Sequence, residues 1–239
     1  MKKRPDFARG TVSSCTLSDS YRIDYEPDRH GDEFGYFEWV RTDVLRIIPE
    51  SASRVLSVGC GAAATEAALL SSGREVVGVE LDARAAEVAC ERGIHVIQQN
   101  AASAVPQLAG EKFDCLLFLD ILEHMQEPEQ VIRNFTPLLA AGGAMIISVP
   151  NFRHYSVAVE LFLKGDFPYT HAGIFDRTHV QITTRKRVER WVRDAGFIIP
   201  KAVYVMYRRR ERILSALSCG LLREFLAAQV LVLGTKVDS

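Results

Sequence analysis

What most constrains this chain is a glycine turn set between two apolar strands, with an acid at the tip of the second. Val55 to Val58 is apolar and runs into Gly59-Cys60-Gly61. Ala62 to Leu70 is built largely from strong helix formers, and Gly73 stops it. Val76 to Val79 is a second apolar strand ending on Glu80, about twenty residues past the turn. The glycines let the backbone pass close to a ligand with no Cβ in the way, and the helix start offers N–H groups without partners. Glu80 is placed to accept both hydroxyls of a ribose. A βαβ unit of this kind holds a ribose-containing ligand.

The same rhythm continues along the chain. Asp82 predicts the N-cap of a helix over Ala83 to Arg92, which Gly93 closes. Ile94 to Gln98 reads as a third strand and Phe113 to Leu119 as a fourth. Pro128 suits the first turn of a helix that Gly142-Gly143 would end, and Ala144 to Val149 is a fifth strand. Ahead of the glycine unit, Phe34 to Ile48 carries apolar residues at helical spacing, ended by Pro49. Strands alternating with helices imply a parallel sheet with helices on both faces. After Pro150 the rhythm breaks. Residues 151–183 are rich in aromatics and histidines and read as an insertion, a lid over the ligand edge of the sheet. Thr184 then caps a helix through Asp194, and Phe197 to Met206 and Gln229 to Val237 read as two closing strands. A helix from Arg209 to about Ala227 separates them, with an apolar face (Ile213, Leu214, Leu217, Leu221) fit for core or dimer contact. The organisation is one domain over residues 34–239, preceded by a polar segment, 1–33, expected as a mobile cap.

Read alone, Gly59-Cys60-Gly61-Ala62-Ala63-Ala64 also satisfies the dinucleotide pattern with alanine last, which leaves an NAD(P)-dependent oxidoreductase open. The remaining segments weigh the other way. Val55-Leu56-Ser57-Val58-Gly59-Cys60-Gly61-Ala62-Ala63, then Phe113 to His124, then Leu138 to Asn151 arrive in an order and spacing that resemble the class I S-adenosylmethionine-dependent methyltransferases. Asp120-Ile121-Leu122-Glu123-His124 and Phe175-Asp176-Arg177-Thr178-His179 look like a subgroup acting on small metabolites and sugars.

The resemblance implies a Rossmann-like, seven-stranded, mostly parallel α/β sheet with the last strand antiparallel, and S-adenosyl-L-methionine as cofactor. It assigns Gly59, Cys60 and Gly61 to the cofactor's amino-acid part, Glu80 to its ribose, and Leu81, Asn100 and Ala101 to the adenine. Leu119 and Asp120 fall to the methionine part and the methyl-transfer face. An oxygen acceptor needs its proton removed, and histidine titrates near neutrality, so His124 and His179, with Asp176 beside them, are the catalytic candidates. Two departures stand out: Ser57 replaces an acid, and Ala63 replaces a glycine. Ser57 keeps open a non-catalytic, methyltransferase-like binding or regulatory module. The lid aromatics, Phe152, Tyr155, Phe162, Phe167, Tyr169 and Phe175, suit an acceptor pocket for a sugar or a hydroxylated metabolite.

Composition narrows the partners. A net charge of −1 gives no footprint for nucleic acid. Five cysteines without CxxC spacing predict neither a disulfide framework nor a metal site, and place the protein in a reducing cytoplasm. No stretch approaches a membrane span, so no membrane partner is expected.

Overall fold

The computed structural model describes residues 39–236. The expected N-terminal cap and the start of the Phe34 to Ile48 helix lie outside them, and of the rest of that helix only Thr42–Leu45 is helical. Seven strands form one sheet in the order β3-β2-β1-β4-β5-β7-β6. β1 (Arg54–Val58), β2 (Glu75–Glu80), β3 (His95–Gln98), β4 (Phe113–Leu119) and β5 (Leu139–Pro150) pair in parallel. β7 (Gln229–Lys236) enters between β5 and β6 (Phe197–Val205), antiparallel to both. This is the sheet the sequence predicts.

Its central strands are largely apolar because both faces are covered. With a side-chain period of two, Leu56, Val58, Leu116 and Phe118 face one layer. There they meet buried Phe135 of α5 (Pro128–Phe135) and Trp191 of α7 (Arg185–Asp194). Val55, Cys115 and Leu117 face the other layer. They meet Val44, Leu69 and Ala89 from α1 (Thr42–Leu45), α2 (Ala64–Ser71) and α3 (Ala83–Glu91). Asp82 caps α3, accepting from the Ala85 N–H at 2.8 Å, as its place before the apolar run predicts.

Three local expectations change. Gly142-Gly143 do not end a helix. Pro137 has no N–H and cannot extend α5, so a 3-10 turn, Thr136–Leu138, leads straight into β5, and Gly142 (φ +66°) lies within that strand. The expected long helix near the end divides into α8 (Arg209–Leu217) and α9 (Arg223–Leu226), because Cys219 and Gly220 between them are left-handed. In the lid region, α6 (Tyr155–Ala158) runs into a π-helical turn, Val159–Lys164, which left-handed Gly165 stops.

Among the described residues, no helix is long and apolar enough to cross a membrane. β1 and β4 are neighbours from which the chain winds outward in both directions. Ligands of open α/β sheets bind at such a switch point, beyond the carboxyl ends of the strands.

Candidate active site

Past Val58 the chain turns through Gly59 (φ +71°) and Gly61 (φ +55°). A Cβ on Gly59 would stand 2.7 Å from Ile121 Cγ1, so the turn is both left-handed and packed shut. Ala63 is left-handed (φ 58°, ψ 38°), at a cost of roughly 1–2 kcal/mol. Cys60 packs against Gly78 of β2, where a Cβ would lie 2.6 Å from the sulfur. Burial, with Glu66 and Glu80 nearby, pushes its thiol pKa up. Cys60 packs the back of the turn as a thiol.

Glu80, at the tip of β2, ties the turn together. Its Oε2 accepts from the Gly61 N–H at 2.7 Å, and its Oε1 accepts from the N–H groups of Leu81 and Asp82, both at 2.8 Å. A carboxylate has about four acceptor sites. Three are filled, so one remains for a ribose hydroxyl unless a backbone donor gives way. Leu81 is 69% exposed beside it, a free apolar surface. Asn100 caps α4 (Ala101–Ala104), its Oδ1 accepting from the Ser103 N–H at 2.9 Å. That bond takes one of the two acceptor sites of the Asn100 oxygen. Ala101 opens α4 next to it.

At the tip of β4, half-buried Leu119 leads into Asp120, which holds φ +54°. Three long-range contacts fix that strained backbone. Arg41 Nη1 reaches Oδ2 at 2.5 Å, and Ser148 Oγ and Gln229 Nε2 reach Oδ1 at 2.9 and 3.1 Å. Arg41 also bonds Asp43 and Ser148, while its N–H donates to Thr65 of α2. No local sequence pattern singles out Arg41 or Gln229 as partners of Asp120.

Ser57 also has an unforeseen partner. Its Oγ donates to Glu66 Oε1 at 2.6 Å, and both residues are buried. The acid absent from β1 is thus supplied from α2. Burial raises the Glu66 carboxyl, with Ser57 and Arg92 drawing it back toward the ionised form. Exchanging the two chemistries gives a test. Glu66→Thr should weaken S-adenosylhomocysteine binding about tenfold, the scale of one charge-assisted hydrogen bond. Adding Ser57→Asp should restore it. Equal affinities by calorimetry in the parent and the single variant would leave Glu66 a packing residue.

The structure brings the catalytic candidates together. A 3-10 turn, Leu122–His124, follows β4, and the Glu123 carbonyl accepts from the N–H groups of Val180 and Gln181. Gln181 Nε2 donates in turn to the carbonyls of Met125 and Gln126. The His124 and His179 rings lie 4.8 Å apart, edge to face. Asp176 accepts from Thr178 Oγ1 at 2.6 Å, and Thr178 Oγ1 meets His124 Nδ1 at 3.0 Å. Burial alone would raise the Asp176 carboxyl, but the Thr178 bonds and the two histidines bring it below the ordinary value.

Glu123 itself is buried, its Oε1 3.9 Å from His179 Nε2 and its Oε2 without a hydrogen bond. Burial and the Asp120 charge push its carboxyl well up. Burial, then the His124 charge, lowers His179. Glu123, His124 and His179 offer metal-ligating atoms within 4.8 Å of one another. Ligands of a tetrahedral zinc stand roughly 3.3 Å apart, so a closed shell would require these side chains to draw inward.

The lid aromatics divide. Phe152 stacks on Phe167, which meets Tyr169 and Phe175 edge-on, and Phe152 lies 6.3 Å from the His179 ring. Phe162 is 80% exposed and outside this cluster. His154 is buried beside Glu211, with Nε2 3.7 Å from Oε1.

The chain matches the family described as "Methionine biosynthesis protein MetW" over residues 41–229, from the arginine that pairs with Asp120 to the glutamine that also touches it. The chain belongs to the MetW family. The sequence is 28% identical over 144 residues to a "Ubiquinone biosynthesis O-methyltransferase" of Cereibacter sphaeroides, covering 59% of this chain and 56% of that one. The chain therefore spans about half the length of such curated relatives. In fold, this MetW-family chain resembles a SAM-dependent methyltransferase from Archaeoglobus fulgidus (TM-score 0.64, 15% identity, 86% and 95% of the two chains covered). It also resembles a magnesium protoporphyrin IX methyltransferase from Synechocystis PCC 6803 with bound SAH (TM-score 0.54, 16% identity, 85% and 81% covered). The fold of this MetW-family domain is that of the class I S-adenosylmethionine-dependent methyltransferases.

Proposed function

We propose that the protein transfers a methyl group from S-adenosylmethionine to a hydroxyl oxygen of a small molecule. The observation that carries this is the Arg41–Asp120 pair at the strand ends, alongside the Glu80-bound turn. An amino-acid zwitterion attached to a ribose needs a cation, an anion and a ribose acceptor close together. A nicotinamide dinucleotide has no such zwitterion. By exchanging partners, Arg41 takes the carboxylate of that ligand and Asp120 its ammonium. Glu80 accepts a ribose hydroxyl, Leu81 packs on the adenine, and the Asn100 amide donates to a ring nitrogen.

The cofactor, when bound, supplies a methyl already activated on a sulfonium. The protein must align the acceptor and exclude water. Phe152, Phe167 and Phe175 form the apolar wall nearest the histidines. His179, kept neutral by burial, takes the hydroxyl proton at a ring nitrogen, with Glu123 behind it and His124 beside it. The O-methyltransferase activity named for the Cereibacter relative supports oxygen over nitrogen as acceptor.

Calorimetry with S-adenosylmethionine and S-adenosylhomocysteine, with NAD as control, is the direct test. Micromolar binding of both sulfur nucleosides and none of NAD is expected. No binding by a folded sample would overturn the proposal. Binding without transfer to any hydroxylated acceptor would instead favour a regulatory module.

A further inference from the structure

α8 is built inside out. Its one buried residue is an acid, Glu211, held by His154, the Arg208 N–H at 3.2 Å and the Arg208 guanidinium. At 100° per residue, Ile213 projects away from Glu211, Leu214 stands only about 60° to its flank, and Leu217 projects away again. They are 48%, 48% and 77% exposed. The apolar surface continues through Leu221 (82%), Leu222 (46%) and Phe225 (43%). The sequence left this face as core or dimer contact, and it is not core.

Charge selects the occupant. Between Tyr207 and Phe225 stand Arg208, Arg209, Arg210, Arg212 and Arg223, all exposed. The acids of the same stretch are turned inward, Glu211 to His154 and Glu224 to Arg153, Arg185 and Tyr204. A second copy docked face to face would set arginines against arginines with no acids between them. Outward Leu, Ile and Phe flanked by arginine match the boundary of an anionic bilayer, where headgroup charge and acyl chains meet.

A second apolar segment adjoins. Tyr155 of α6 accepts from Arg208 and Arg210, both at 3.3 Å, and α6 leads into Leu161, Phe162 and Leu163, which are 44%, 80% and 79% exposed. Both segments leave the sheet at its carboxyl edge, after β5 and after β6, the edge that carries Glu80 and Asp120. We propose that α8, α9 and the 159–164 turn form a docking surface for an anionic membrane, which brings the ligand edge to the bilayer. The surface needs no membrane-spanning helix and adds to the small-molecule site.

Vesicle co-sedimentation of the full chain, without methyl donor, tests this independently of the enzymatic reading. Phosphatidylglycerol-containing vesicles should pellet the protein and pure phosphatidylcholine should not. Leu217→Ser with Leu221→Ser should abolish pelleting. Arg209→Gln with Arg212→Gln should weaken it roughly 30-fold, from about 1 kcal/mol per arginine near such a surface. Circular dichroism and an unchanged melting temperature would show that these exposed substitutions leave the fold intact. No pelleting by the parent protein, or pelleting that survives the double leucine change, would overturn the proposal. So would a parent dimer that the leucine change dissociates with no vesicle binding, which would assign the face to a second copy.

Discussion

Glu80→Ala is expected to bind S-adenosylhomocysteine at least 100-fold more weakly than the parent. Two losses combine. The ribose loses a hydrogen bond to a charged group, worth about 1.5–3 kcal/mol. The N–H groups of Gly61, Leu81 and Asp82 also lose their shared acceptor, so the turn is no longer held in its binding shape. Glu80→Gln separates the two. Its amide keeps the size of the side chain but must point a donor at one of these N–H donors, and a loss of about tenfold is expected. Calorimetry reads the affinity, and a thermal melt reads the turn. Affinity unchanged in Glu80→Ala would move the ribose site elsewhere.

His179→Ala should lower turnover by roughly 100- to 10,000-fold, the range for a lost general base, while cofactor affinity stays within about twofold. The sign of the pH dependence follows from the environment. Burial and His124 lower the His179 pKa below 6.5, so its neutral form persists further into acid than that of a free histidine. Activity should be level above pH 6.5 and fall only below it. His124→Ala removes a charge that holds His179 down and should therefore move the falling limb to higher pH. A pH–rate profile of the parent and of His124→Ala checks both statements. Full activity in His179→Ala would remove it from the mechanism.

The sheet was legible because strands covered on both faces leave a continuous apolar signal and glycines mark the stops. Gly142-Gly143 misled for a local reason: Pro137 had already ended the helix, so those glycines fell within a strand. Glu80 and Asp120 could be found because each closes an apolar strand. Their partners could not. Arg41 is 79 residues from Asp120 in sequence and Gln229 is 109, and only the completed sheet joins them. Glu66 sat unnoticed in an alanine-rich helix, since one acid at one helical position carries no periodic signal. His154 and Glu211 lie on opposite sides of β6 in the sequence and meet only in the fold.

The interior position of β7 sets an order on biosynthesis. β5 and β6 both leave the ribosome before the strand that joins them. From Pro150 to Lys236 the ribosome needs on the order of ten seconds, and throughout that time one edge of β5 has no neighbour. An apolar edge waiting so long is a place where two nascent chains can pair with each other. Gln229, the first residue of β7, also supplies a side chain to Asp120. Closing the sheet and finishing the floor of the site are therefore one late event, so a stalled chain lacking β7 carries an open edge and an incomplete site together.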